Sequence, residues 1–89
     1  MDIRLTKKFA KQYSKAPRKI KKAFDSRLKI FKKQPFHPVL NNHSLKGNYL
    51  YHQSINVTGD WRAIFLYSEE NGNKTAIFIA LGTHSQLYK

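Results

Sequence analysis

The sequence predicts an α+β fold in which two basic helices pack on one face of a small, largely antiparallel sheet. Three observations support this prediction. Apolar residues recur at helical spacing in the first half, nearly continuous apolar runs fill the second half, and turn signals separate those runs. The predicted order is one strand, two helices and three further strands. We expect residues 1–89 to form a single domain, because a chain of this length has room for one core.

The first half is predicted to contain a short strand followed by a helical hairpin. Residues 2–5 alternate polar and apolar side chains, as a strand does, and Thr6 is a favourable N-cap for the first helix. Ser14 can cap the second helix, Pro17 suits its first turn, and Pro35 ends it. The predicted apolar stripes contain Phe9, Tyr13, Ile20, Ala23, Phe24, Leu28 and Phe31.

The second half is predicted to form a meander of three strands joined by short turns. Gly47 allows a turn into the first of them, and Thr58 with Gly59 makes the next turn. Asn71 and Gly72 are a strong hairpin signal. Because the helices cover one face of this sheet, we expect its other face to be partly exposed or concave. The predicted strands are residues 49–57, 61–67 and 74–81.

The positive charge is concentrated in the first half of the chain. Residues 1–46 contain 14 Lys and Arg against two Asp, whereas residues 47–89 contain three basic and three acidic residues, so the first half carries the whole net charge of +12. A basic surface of this kind favours polyanions such as RNA, DNA, a ribosome or an acidic protein segment. A solvated helix face is the alternative explanation of such a charge run.

Composition disfavours several classes of protein and of site. The chain has no cysteine, so we expect no disulfide and no thiolate metal site. No run approaches the ~20 apolar residues that span a bilayer, and no signal peptide is apparent, so we expect a cytoplasmic protein without a membrane partner. The histidines lack the spacing of metal ligands, so we expect no metal site and no cofactor.

Four side chains near predicted strand ends have the chemistry to cleave RNA. Asp60 and Arg62 follow the turn before a predicted strand, and His43 and His84 stand at the ends of other elements. One such group can take the proton of a 2′-hydroxyl, another can protonate the leaving oxygen, and the arginine can stabilise the phosphorane charge. Structural alternatives are a local ion pair for Asp60 and Arg62 and a surface or structural role for each histidine.

Three segments of the chain closely resemble the RelE/ParE superfamily of toxin-antitoxin toxins, and within it YafQ-type mRNA interferases. The resemblance implies a toxin that enters the ribosomal A site, cleaves mRNA there without a metal ion, and is silenced by an antitoxin. Its partners would be a cognate antitoxin in a hetero-oligomer, mRNA, and the 16S rRNA of the small ribosomal subunit. The segments are 43–47 (His-Ser-Leu-Lys-Gly), 54–65 (Ser-Ile-Asn-Val-Thr-Gly-Asp-Trp-Arg-Ala-Ile-Phe) and 81–88 (Leu-Gly-Thr-His-Ser-Gln-Leu-Tyr).

The resemblance also implies roles for seven residues. We expect His84 to act as general acid and either His43 or Asp60 to act as general base. Asn56 departs from the family pattern, because YafQ-type enzymes have a further histidine there. An amide can donate to a phosphate oxygen but cannot serve as acid or base. The expected residues are His43, Asp60, Arg62 and His84 for catalysis, and Lys46, Asn56 and Tyr88 for RNA binding.

The sequence leaves two other functions open. A ParE-like toxin would inhibit DNA gyrase by binding it and would need no acid and base. A degenerate relative would bind RNA or an antitoxin without cleaving. Asn56 in place of a histidine favours the degenerate relative, whereas His43, Asp60 and His84 together argue against the gyrase-binding toxin.

Overall fold

The structure is a computed structural model that describes residues 1–88, and it confirms the predicted α+β fold. An N-terminal strand precedes two helices, and four further strands complete one sheet. A short helix follows the last strand. The elements are β1 (Asp2–Leu5), α1 (Lys7–Lys15), α2 (Arg18–Lys33), β2 (His43–Ser44), β3 (Gln53–Asn56), β4 (Trp61–Glu70), β5 (Asn73–Thr83) and α3 (His84–Leu87), with 3₁₀ turns at Pro38–Leu40 and Gly47–Tyr49.

The sheet has the strand order β1-β5-β4-β3-β2. Neighbouring strands are antiparallel, except that β1 and β5 run parallel. The chain leaves β1 through α1 and α2, and both helices lie on one face of the sheet. The sheet is therefore largely antiparallel, with the helical hairpin on one side of it, as predicted.

The first helix begins as predicted and the second does not. Thr6 caps α1, because its hydroxyl accepts a hydrogen bond from the backbone N–H of Phe9 at 3.1 Å. Ser14 does not cap α2. It lies inside α1, where its hydroxyl donates to the carbonyl of Lys11 at 2.9 Å. Pro17 takes the N-cap position of α2, with φ −55° and ψ 147°.

Among residues 1–88, no helix has the length and apolar character required to cross a membrane.

The strand predicted for residues 49–57 begins later than expected. A 3₁₀ turn occupies Gly47–Tyr49, and Tyr51 has a positive φ of 70°, so the extended conformation starts only at Gln53. The hairpin between β4 and β5 is confirmed. Asn71 and Gly72 both have positive φ, 52° and 81°, as a two-residue type I′ turn requires. This turn continues the ladder, so β4 and β5 are longer than predicted.

The predicted order of elements omits β2 and α3. Helix α3 begins with a capping box. The Thr83 hydroxyl accepts from the N–H of Gln86 at 3.2 Å, and the Gln86 side chain accepts from the N–H of Thr83 at 2.9 Å. Leu87 then packs on the face of the sheet opposite α1 and α2, in a small apolar cluster with Ile64 and Ala80.

Five phenylalanines form the centre of the core between the helices and the sheet. Each is at most 2% exposed. Phe78 of β5 is the hub, because its ring centroid lies 5.1 to 5.7 Å from those of the other four. Tilted and edge-to-face pairs add to the hydrophobic contribution of the buried rings. The other four are Phe9, Phe24, Phe31 and Phe65.

A hydrogen bond joins the two helices at their outer surface. The Tyr13 hydroxyl donates to the two carboxylate oxygens of Asp25 at 2.9 and 3.1 Å. This hydrogen bond, together with partial burial and the charge of Asp25, raises the pKa of Tyr13 above its usual value of ~10. Because the folded state has the higher pKa, this stabilisation is complete below about pH 10 and is lost as the pH rises through the folded pKa.

We expect Tyr13→Phe to lower the free energy of unfolding at neutral pH by about 0.5 to 1 kcal/mol, the usual contribution of one hydrogen bond. Above pH 10, wild type should lose stability more steeply than Tyr13→Phe. Urea unfolding at pH 7 to 11 measures both effects. Lysine deprotonation affects both proteins alike, so the difference between them isolates the tyrosine. Parallel curves above pH 10 would contradict the assignment.

Candidate active site

A row of residues crosses the face of the sheet opposite α1 and α2. Asn56 on β3 lies opposite Arg62 on β4, and Arg62 lies opposite Gly82 on β5. Directly opposite residues point to the same side of a sheet. A Cβ at Gly82 would lie 3.0 Å from the Gln86 side chain and 3.4 Å from that of Leu87. Gly82 therefore allows α3 to fold closely over the end of the row.

A cleft of about 310 Å³ opens beside this row. Its walls come from the loop before β2, from β2 and the residue after it, from β4, and from the C-terminal residues. Four of the seven predicted site residues line it, although they are up to 45 positions apart in the chain. The lining residues are Asn41, His43, Leu45, Arg62, His84 and Tyr88.

The His43 side chain is oriented by the preceding loop. Its Nδ1 lies 2.8 Å from the carbonyl oxygen of Asn41. A carbonyl can only accept, so Nδ1 carries the hydrogen and donates. This leaves Nε2 able to accept a proton in the neutral imidazole. Strand β2 holds the backbone, because His43 pairs with Ser54 of β3. His43 is exposed and has the geometry of an available base.

His84 is held from two directions. Its backbone N–H donates to the carbonyl of Asp60 at 3.0 Å, which joins α3 to the turn before β4. Its ring lies 4.7 Å from the ring of Tyr88, centroid to centroid, with a tilt of 55°. The two residues are one helical turn apart, so this contact follows from the short helix. His84 is exposed at the edge of the cleft.

The Arg62 side chain stabilises the turn that precedes β4. One guanidinium nitrogen, Nη1, donates to the carbonyls of Thr58 at 3.1 Å and Gly59 at 2.9 Å, with a longer contact to that of Trp61 at 3.3 Å. The Thr58 hydroxyl also accepts from the N–H of Trp61 at 3.1 Å. The side chains of Thr58 and Arg62 thus hold the turn at both of its ends. The turn carbonyls bind only one of the three guanidinium nitrogens of Arg62.

Three predicted site residues lie next to the cleft rather than in its lining. Asp60 is exposed in the turn, and its carbonyl holds the backbone of His84. Lys46 lines a neighbouring pocket of about 180 Å³, and Tyr88 belongs to both the pocket and the cleft. Asn56 is half-buried beside Arg62, and its Oδ1 is buried without a hydrogen-bond partner in the described chain.

Asn41 is a cleft residue that the motif-based prediction missed. It has a left-handed backbone, with φ 47° and ψ 48°, at the end of the 3₁₀ turn Pro38–Leu40. Asparagine tolerates this conformation better than most residues. The adjacent asparagines after a proline-containing loop could have indicated such a turn. Its position aims the carbonyl at Nδ1 of His43.

The other two histidines lie outside the cleft lining. His37 caps the first 3₁₀ turn, since its Nδ1 accepts from the N–H of Val39 at 3.0 Å. Nδ1 of His52 lies 3.0 Å from the carbonyl of Leu50, and its ring packs near Tyr49 with 6.1 Å between centroids. In the part of the chain that the structure describes, no three His, Cys, Asp or Glu side chains are grouped to hold a metal ion.

The lysine-rich faces of α1 and α2 lie on the far side of the sheet from the cleft. The apolar faces of these helices pack on the aromatic core, so their basic side chains point into solvent. The exposed basic residues of the two helices are Lys7, Lys8, Lys11, Lys15, Arg18, Lys19, Lys22, Lys29, Lys32 and Lys33.

Solved structures share this fold. The chain is similar to the YoeB/ParE toxin from Agrobacterium tumefaciens, with 17% identity and a TM-score of 0.75 over 94% of this chain and 99% of that chain. It is also similar to YafQ from E. coli, with 22% identity and a TM-score of 0.70 over 99% of this chain and 98% of that one. A chain of the E. coli DinJ–YafQ complex gives 22% identity and a TM-score of 0.67, with coverages of 99% and 98%.

The family itself is identified from the sequence. No curated protein matches the sequence. One family model, described as the bacterial toxin of type II toxin-antitoxin system, YafQ, matches residues 1–89. The resemblance predicted from three sequence segments is thereby confirmed. The chain belongs to the YafQ family of bacterial toxins of type II toxin-antitoxin systems.

Proposed function

We propose that this toxin is an endoribonuclease that cleaves mRNA by general acid–base catalysis without a metal ion. One observation carries the proposal: two histidines and an arginine from distant parts of the chain line one cleft. A base, an acid and a fixed cation are the groups needed to break a phosphodiester with its own 2′-hydroxyl. A gyrase-binding toxin would need none of them.

We assign the general base to His43. In the neutral ring, Nε2 takes the proton of the 2′-hydroxyl while Nδ1 stays bonded to the Asn41 carbonyl. The oxygen then attacks phosphorus, and a new O2′–P bond forms. Asp60, the other candidate base, is outside the cleft lining. Its proposed role is support, through the carbonyl that holds the backbone of His84.

We assign the general acid to His84. As the P–O5′ bond breaks, the protonated ring gives its proton to the leaving oxygen. The products are a 2′,3′-cyclic phosphate and a 5′-hydroxyl, and no outside reactant is consumed. His43 ends the step protonated and His84 ends it neutral, so exchange with solvent restores both rings. The ring contact of His84 with Tyr88 supports this role, because it limits the directions in which the acid can point.

Arg62 is the proposed charge stabiliser. The turn carbonyls use Nη1, and the two remaining nitrogens can donate to the phosphorane oxygens. Asn56, directly across the ladder, can add a donor from its side-chain amide. Removing one such donor from an active site typically costs 10²- to 10³-fold in kcat. Tyr88 offers a ring on which a base can stack.

We propose different partners for the basic face of α1 and α2 and for the opposite face, which contains the cleft. A cognate antitoxin would silence the toxin, and a DinJ–YafQ complex is known from E. coli. The exposed basic surface of α1 and α2 suits 16S rRNA of the small ribosomal subunit, with the cleft left free for mRNA in the A site. An acidic antitoxin segment could use the same basic surface. The expected location is the cytoplasm, and the expected unit is one domain.

Primer extension on a reporter mRNA in a cell-free translation reaction tests the proposed function. With ribosomes and wild-type toxin, we expect cuts at fixed codon positions. Without ribosomes, we expect the same message to stay intact. The His37→Asn variant is a matched control, because it removes an imidazole outside the cleft while keeping a side-chain acceptor for the N–H of Val39. An uncut message in an active translation reaction would refute the proposal.

A further inference from the structure

We propose that the pocket beside the cleft binds the base of a nucleotide that flanks the scissile one, and that Asn48 reads this base. The inference rests on the proposed cleavage of RNA and adds a substrate-specificity site to it. The pocket has a volume of about 180 Å³, smaller than the cleft. Its lining residues are Lys46, Asn48, Tyr49, Leu87 and Tyr88.

The pocket continues the cleft. Tyr88 lines both, so the two spaces adjoin at this residue. An RNA strand with its phosphate between His43 and His84 can leave the cleft past Tyr88. The nucleotide next to the cleavage position then lies at the pocket.

The walls of the pocket suit a planar base. The rings of Tyr49 and Tyr88 lie 5.9 Å apart, centroid to centroid, at an interplanar angle of 88°. A base can stack on one ring and meet the edge of the other. Leu87 is 9% exposed and adds an apolar side chain to the lining. Stacking tolerates any base, since every base has an aromatic face, so these walls bind without selecting.

Selection requires a polar group that can contact a base edge, and Asn48 provides one on a backbone held by a turn. It is the central residue of the 3₁₀ turn Gly47–Tyr49, which is closed by hydrogen bonds from the N–H of Tyr49 to Lys46 at 3.3 Å and from Leu50 to Gly47 at 3.1 Å. The side-chain amide has both donors and an acceptor, as bidentate recognition of a base edge requires. Lys46 adds a charge for the adjoining phosphate.

Binding of short 2′-O-methyl RNA oligonucleotides, which lack the nucleophilic hydroxyl, tests the subsite by fluorescence anisotropy. The oligonucleotides contain two to six nucleotides and are extended at either end with each of the four bases. One of the added nucleotides should raise the affinity about tenfold. The size of this increase should depend on which base is added. Asn48→Ala should keep the step and lose its base preference, and Lys46→Ala should lower the salt slope by about one.

Asn73→Ala and Lys74→Ala serve as matched controls. They remove the same two types of side chain at the start of β5, the end of the strand away from α3. A base preference that is lost only in Asn48→Ala supports the subsite. A preference that is unchanged in Asn48→Ala, or the absence of an affinity step, overturns it. The readout needs no cleavage. Unmodified RNA that binds with this preference but stays intact on the ribosome would therefore count against the proposed function alone.

Discussion

His84→Ala is expected to lower the rate of mRNA cleavage by about 10² to 10⁴, the range that a positioned acid or base contributes. The fold should survive, because the side chain is exposed and the hydrogen bond to Asp60 comes from the backbone. The capping box of Thr83 and Gln86 is also untouched. Single-turnover cleavage in the cell-free reaction measures the rate, and thermal unfolding checks the fold.

The His37→Asn control separates the loss of a cleft imidazole from the loss of any imidazole. It should keep the wild-type rate, because His37 lies outside the cleft lining and only caps a 3₁₀ turn. In cells without antitoxin, wild type should arrest growth and His84→Ala should restore it. Cleavage by His84→Ala at the wild-type rate would remove His84 from the mechanism.

Phe78→Ala is expected to lower the free energy of unfolding by about 3 to 5 kcal/mol. Its ring contacts four other buried rings, so truncation both loses apolar burial and leaves a cavity between the helices and the sheet. Small domains are stable by only about 5 to 15 kcal/mol, so this variant should be partly or wholly unfolded in moderate urea. Urea titration followed by the fluorescence of Trp61, the sole tryptophan, measures the effect.

Phe36 provides the matched control for this substitution. It is 69% exposed in the loop after α2, so Phe36→Ala should change the free energy of unfolding by no more than about 0.5 kcal/mol. Phe78→Leu keeps most of the volume but loses the ring contacts, so it should cost less than Phe78→Ala. Equal losses for Phe36→Ala and Phe78→Ala would show that the aromatic hub does not dominate the stability of the core.

The features that were predictable from sequence are those set by local patterns. Phe9, Phe24 and Phe31 recur at helical spacing and are buried, and the Asn-Gly pair forms the hairpin. The start of β3 was not predictable in this way. The apolar and aromatic residues from position 49 onward predict a strand. In the structure, the backbone N–H groups of Tyr49 and Leu50 are instead hydrogen-bonded in the turn that begins at Gly47. Local turn hydrogen bonds override strand propensity here.

The candidate site was predictable in its residues more than in its geometry. Motifs nominate His43, Arg62 and His84, but only strand register and the course of α3 bring them to one cleft. The start of α3 had an available signal, because Thr-x-x-Gln at residues 83–86 is a capping box. The pairing of the Asn41 carbonyl with His43 depends on a backbone conformation that few residues specify from sequence alone.

Alternate side chains of strand β4 lie on opposite faces of the sheet and have different roles. Ala63 and Phe65 belong to the aromatic core, whereas Arg62 and Ile64 face the cleft side. A substitution at the half-buried Arg62 can therefore change the chemistry while the fold persists. An insertion or deletion of one residue that no bulge absorbs would instead exchange the two faces beyond it and lose core and site together. We therefore expect β4 to tolerate a new side chain at Arg62 more readily than a change in its length.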